Sequence, residues 1–117
     1  MANELSLMIS LFFNKLAKTQ RQEAIRVSVT GDSFTHEVQA IGTSEEEVAQ
    51  GADLGTPGYV LLKNLDTTNY IEVGSTTGVY DIKLKAGEIA LYRHNSATIY
   101  AKANTAECLL EYIIIED

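Results

Sequence analysis

Val79-Tyr80-Asp81-Ile82-Lys83-Leu84-Lys85 alternates apolar and charged side chains without interruption after its first residue. Tyr80, Ile82 and Leu84 face one way, and Asp81, Lys83 and Lys85 face the other, as a half-buried β-strand requires. Outward from it, the same period of two recurs on both sides. It is present in Ile25-Arg26-Val27-Ser28-Val29, Phe34–Ile41, Tyr59–Leu65, Tyr70–Val73, Glu88–Arg93, Thr98–Ala103 and Cys108–Ile115. The six tyrosines, at 59, 70, 80, 92, 100 and 112, stand 8 to 12 residues apart, one to each expected strand. That rhythm leaves no room for crossover helices between strands. The pattern predicts an all-β chain: an antiparallel β-sandwich, jelly-roll-like, with an N-terminal strand or arm.

The punctuation between strands agrees. Thr56-Pro57-Gly58-Tyr59 places Pro and Gly at the second and third positions of a type II turn, and Lys85-Ala86-Gly87-Glu88 is a hairpin-length link. Further turn clusters fall at 31–33, 66–69, 74–78, 94–96 and 104–106. Two segments read both ways. Residues 5–13 put Leu5, Leu7, Ile9, Leu11 and Phe13 on one face of a strand, or Leu5, Met8, Ile9, Phe12 and Leu16 on one stripe of a helix. Ser6 and Ser10 on alternate positions and the all-β context favour the strand. Ser44-Glu45-Glu46-Glu47 reads either as a capping box opening a short helix or as a strand leading into the 51–58 loop.

At 117 residues the chain is expected to form one sandwich domain, 1–117, in which residues 1–24 supply a strand plus a polar arm or long loop. Folding buries about two-thirds of the surface of a chain this long, enough for a core without disulfide or metal staples. The formal charge is −7, with 4 basic and 8 acidic groups in residues 1–58 and 5 and 8 in residues 59–117. Neither half carries a basic stripe, which argues against nucleic acid as a partner. The single cysteine, Cys108, allows no intramolecular disulfide or multi-cysteine zinc site. The apolar run Leu5–Phe13 is too short to cross a bilayer as a helix, and it follows Glu4 rather than a basic segment. No membrane role and no secretory signal are expected.

Candidates for chemistry are few. Glu45-Glu46-Glu47 is the densest charge cluster, but consecutive strand residues alternate faces, so a solvated surface is expected there. His36 shares parity with Phe34, Val38 and Ala40, with no second ligand at metal spacing, and is expected to be partly buried or at a sheet edge. His94, in a turn beside Asn95, is expected to be exposed. Cys108 shares parity with Leu110, Tyr112 and Ile114 and is expected to act as a small buried hydrophobe. Phosphate-cradling glycine loops, nucleophile elbows and histidine–carboxylate zinc motifs are absent from the sequence. These readings imply a non-enzyme with no catalytic residues, no metal and no cofactor.

The termini say more. Glu111-Tyr112-Ile113-Ile114-Ile115-Glu116-Asp117 is apolar on both faces, and Leu5–Phe13 is two-sided through Met8 and Phe12. A strand of that kind is either central in its sheet or covered by another chain. Coverage in a homo-oligomer is the favoured reading, with Leu5, Leu7, Met8, Phe12, Lys15, Arg21, Ile113 and Ile115 as the interface candidates.

Pro57-Gly58-Tyr59, Asn64-Leu65-Asp66, Asn69-Tyr70 through Gly74, Leu84-Lys85-Ala86-Gly87-Glu88 and Ala101-Lys102-Ala103-Asn104 through Cys108 together carry a resemblance. The chain is similar to a class of small proteins encoded among the structural genes of tailed bacteriophages. The likeness extends from about Leu5 to Asp117 and is strongest over 57–117. It implies a virion component with a jelly-roll-like sandwich: a capsid decoration, or cement, protein on the capsid exterior. Such a protein would assemble in the host cytoplasm as a small symmetric oligomer, a trimer by preference, against the major capsid protein or other virion proteins. A neck, tail or fibre accessory is the nearest alternative, and a carbohydrate-binding adhesion module is an alternative of another class. A cupin-like enzyme would need a histidine-rich metal site, which two distant histidines do not supply. The basic, polar stretch Lys15–Glu23 departs from the resemblance and is expected to be an extended arm or long loop.

Overall fold

The computed structural model describes residues 3–117. The chain divides at Thr30 into two compact units, Met1–Thr30 and Gly31–Asp117, where the sequence is read as one domain.

The first unit is a β-hairpin. Strands β1 (Leu5–Asn14) and β2 (Lys18–Val27) pair antiparallel from Leu5 opposite Val27 to Asn14 opposite Lys18. The strand reading of 5–13 therefore holds, and its helical alternative does not. The polar stretch 15–23 is not a long loop. Only residues 15–17 turn, with Lys15 N–H donating to the Ala17 carbonyl at 3.0 Å, and Lys18 onward is strand. The pattern concealed this because Lys18, Gln20 and Gln22 occupy the polar face while Thr19, Arg21 and Glu23 occupy the other. An exposed ribbon needs no apolar residue at those positions.

The second unit is a β-sandwich. It comprises β3 (Phe34–Ile41), β4 (Glu46–Glu47), β5 (Pro57–Asn64), β6 (Ile71–Gly74), β7 (Ile82–Leu84), β8 (Ile89–Arg93), β9 (Tyr100–Ala103) and β10 (Cys108–Glu116). Two antiparallel four-stranded sheets have the orders β3-β10-β5-β8 and β4-β9-β6-β7. The pairing is nested: β3 with β10, β4 with β9, β5 with β8 and β6 with β7, alternating between the sheets. Glu46–Glu47 is strand, not helix.

Alternation decides which side chains enter the core. In β10, Cys108, Leu110, Tyr112 and Ile114 point inward and are buried, and in β5, Val60, Leu62 and Asn64 do the same. From the other sheet come Ile71, Val73, Leu84, Ala101 and Ala103. Asn64 is the one fully buried polar residue of this set, and its amide is satisfied. Its Nδ2 donates to the Asn69 and Leu84 carbonyls at 2.9 and 3.0 Å, and its Oδ1 accepts from Asp66 N–H at 2.9 Å. Among the described residues no buried side-chain nitrogen or oxygen lacks a partner. The two-sided C-terminal strand takes the central position, between β3 and β5.

Two turn assignments change. Pro57 and Gly58 are buried and open β5 instead of forming a type II turn. Glycine is needed at 58 for close approach, since a Cβ there would lie 3.0 Å from Asp117 Cα and 3.1 Å from the Ile115 carbonyl oxygen. Lys85–Glu88 is a tight turn, with Glu88 N–H donating to the Lys85 carbonyl at 3.0 Å and Gly87 at a φ of 77°. It does not close a hairpin, because β7 and β8 belong to different sheets. The turn residues encode a reversal; they do not encode which strands pair afterwards.

Candidate interaction surfaces

The hairpin separates its side chains cleanly. Leu5, Leu7, Ile9, Leu11 and Phe13 share one face with Ile25 and Val27 across the ladder. The only charges on that face, Arg21 and Glu23, form an ion pair two residues apart on one strand. The opposite face carries Ser6, Ser10, Asn14, Lys18, Gln20, Gln22 and Arg26, interrupted by Met8 and Phe12. Leu7 is buried, whereas nearer the turn Leu11 is 56% and Phe13 50% exposed, and Leu16 lies fully in solvent. On the polar face Met8 and Phe12 are 77% and 64% exposed. A two-stranded ribbon buries little apolar surface by itself, which leaves this strip among the largest exposed apolar features of the unit.

The candidate residues are thus brought together only in part. Leu5, Leu7 and Arg21 share the apolar face, Met8 and Phe12 lie on the reverse, and Lys15 is in the turn. Ile113 and Ile115 lie in the other unit, half-buried on the outer face of the β3-β10-β5-β8 sheet.

That outer face is a second apolar surface. Register aligns His36, Ile113, Leu61 and Leu91 in one row across the four strands, and Val38, Glu111, Lys63 and Ile89 in the next. Phe34, opposite Ile115, is 67% exposed, and Val38, Ile89 and Leu109 are exposed as well. Besides Lys63 it carries two charged pairs: His36 Nε2 lies 3.0 Å from Glu111 Oε2, and Arg93 donates to Asp117 at 2.7 Å while stacking over the Tyr59 ring. Sequence reading found only Ile113 and Ile115 here. Parity with Ile113 and the apolar alternate positions of β3, β5 and β8 were the available signal. Without the strand order, four half-apolar strands do not add up to one face.

Carboxylates fasten the loops of the sandwich. Glu116 accepts from Gly55 N–H at 2.6 Å, Asp32 N–H at 3.0 Å and Ser33 N–H at 3.3 Å, bonds that hold its pKa below the ordinary 4.5. Glu45 accepts from the Tyr80 hydroxyl at 2.5 Å and from Gly78 N–H at 2.8 Å, which lowers its pKa and pushes that of Tyr80 up to about 12. Glu46 accepts from Gly42 N–H at 2.6 Å. The acidic cluster is therefore not simply solvated: two of its three members bind loops, and Glu47 alone is exposed.

His36 lies on the edge strand β3, exposed. His94 is buried, against expectation. The Thr98 carbonyl, 2.7 Å from Nε2, can only accept, so Nε2 carries the proton and Nδ1 faces the Tyr92 hydroxyl at 3.3 Å. A turn flanking β8 folds this imidazole inward, where its polar atoms complete the loop's hydrogen bonds. Cys108 is buried, and desolvation, followed by the nearby Asp66 carboxylate, raises its thiol pKa. All six tyrosines are half-buried or buried, and Tyr70 and Tyr80 lie just outside strands. Among the described residues no three His, Cys, Asp or Glu side chains converge as a metal site would require, and no helix is long and apolar enough to cross a membrane.

No protein-family model, curated protein or solved structure matches the chain.

Proposed function

We propose that this protein is a structural component of a tailed-bacteriophage virion, a decoration protein that binds at capsid subunit junctions and stabilises the head. The observation that carries the reading is the β1–β2 hairpin, whose apolar strip of Ile9, Leu11 and Phe13 is left in solvent. Such an arm contributes nothing to its own unit's core and gains stability only by seating on another surface. The nested strand pairing, which we take to be a jelly roll, and the resemblance over residues 57–117 support the same reading. Repeated lattice sites let modest single contacts sum to firm attachment. A disulfide-free core suits assembly in a reducing host cytoplasm, and the net charge of −7 keeps such a protein off packaged DNA.

Attachment is tested by mixing the purified protein with expanded capsids and counting copies per particle. Hundreds of copies support the decoration role. A dozen or fewer would move the protein to the neck, tail or a fibre, and no attachment to any virion part would sink the proposal.

A further inference from the structure

Dividing the charge by structural unit changes its meaning. Residues 1–30 hold four basic groups (Lys15, Lys18, Arg21, Arg26) and two acidic ones (Glu4, Glu23), a net of +2. Residues 31–117 hold five basic and fourteen acidic groups, a net of −9. The even balance between sequence halves hides this segregation.

From it we infer that the apolar face of the hairpin docks on the outer face of the β3-β10-β5-β8 sheet of a second copy of this chain. The inference rests on reading the hairpin as an assembly arm and names its first partner. Two copies can meet arm to arm, body to body, or arm to body. The first opposes like positive charges, and the second brings together two bodies of −9 each. Only the third is complementary in the sign of the units' net charge, and a field of this kind orients encounter. The contacting faces themselves hold internally paired charges, Arg21 with Glu23 on the arm and His36 with Glu111 and Arg93 with Asp117 on the sheet, beside Lys63. The shapes agree as well. Ile9, Leu11 and Phe13 recur every second residue on the arm, as Leu109, Ile113 and Ile115 do, with one gap, on β10, so two pleated faces of equal rise meet as stacked sheets.

Strand rise and spacing make the arm's face roughly 33 Å by 10 Å, or about 300 Å². A reciprocal exchange buries four such faces, on the order of 1,200 Å², the lower limit for stable specific association. Covering Phe34, Val38 and Ile89 on the body and Leu11 and Phe13 on the arm in one contact removes both exposed apolar surfaces.

Light scattering on the full-length chain tests this first. A closed oligomer is expected at micromolar concentration and moderate salt, weakening as salt rises. The double variant L11E/F13E, altered only at exposed positions, should be monomeric with the sandwich's thermal transition retained. For contact mapping, separately tagged Leu11→Cys and Ile113→Cys chains are mixed and oxidised. A disulfide joining the two tags is the expected product. A wild-type monomer, an L11E/F13E chain that stays oligomeric, or a chain carrying both cysteines that cross-links only within itself would each overturn the inference. A monomer that still decorates capsids would overturn it while leaving the decoration role intact; an oligomer that binds no virion part would do the reverse.

Discussion

Glu116 Oε2 accepts a 2.6 Å hydrogen bond from the backbone N–H of Gly55, joining the end of β10 to the loop that precedes β5. With Oε1 taken by Asp32 and Ser33 N–H, one carboxylate ties three loop amides to the C-terminal strand. These bonds favour the ionised form and lower its pKa from 4.5, chiefly through the Gly55 bond.

A lowered folded pKa means that the stabilisation is present above the unfolded value and is lost as pH falls through the folded one. Glu116→Gln should therefore lower the thermal midpoint at neutral pH. The gap from wild type should close as pH drops below about 4.5, where the wild-type carboxylate also loses its charge. Calorimetry across the acid range measures this. A gap independent of pH would show that the carboxylate's charge is irrelevant to the clamp.

Ile113 and Ile114 are neighbours on one central strand and point to opposite faces. Ile114→Ala removes a fully buried side chain and should cost about 2–5 kcal/mol in urea unfolding. Ile113→Ala, on the half-buried outer face, should cost at most about 1 kcal/mol in the isolated chain. Equal losses would contradict the register of β10.

Asn64 connects β5 to the 66–69 turn and to β7 from inside the core. Asn64→Leu is nearly isosteric but strands the Asn69 and Leu84 carbonyls and Asp66 N–H. A buried group left unpaired costs about 1–3 kcal/mol, a penalty that falls fully on the buried Leu84 bond and in part on the two partly buried ones. The apolar substitution should therefore destabilise despite filling the same space. Chemical denaturation gives the value, and a neutral result would mean that water replaces the amide.

Tyrosinate absorbance reports two side chains directly. Tyr80, bonded to the Glu45 carboxylate, and Tyr92, desolvated in the sandwich, are each pushed from 10.0 up to about 12. Their contribution to stability is present below pH 10 and declines as pH rises through about 12. Removing either ring with Tyr80→Phe or Tyr92→Phe should delete amplitude from the most alkaline part of the titration. Loss of amplitude near the ordinary value instead would refute the assignment.

The sequence determined most of the strands and the facing of the side chains in them, because period-two alternation is a local property that survives any arrangement of neighbours; the polar first half of β2 is the exception. Val60, Leu62, Cys108, Leu110 and Ile114 lie inward as their parity requires, and Leu5, Leu7, Ile9, Leu11 and Phe13 share one face of a strand. Pairing partners are a different matter, since hydrogen bonding between strands is set by contacts distant in sequence. Tertiary structure alone sent Lys85–Glu88 between two sheets, put β10 at the centre of one of them, and folded His94 into the interior. It alone collected Phe34, Ile113, Leu61 and Ile89 onto one outer face from four separate strands. The break at Thr30 also belongs to it, and with that break a chain of uniform acidity becomes a positive arm and a negative body, because charge acts on partners through its place in space.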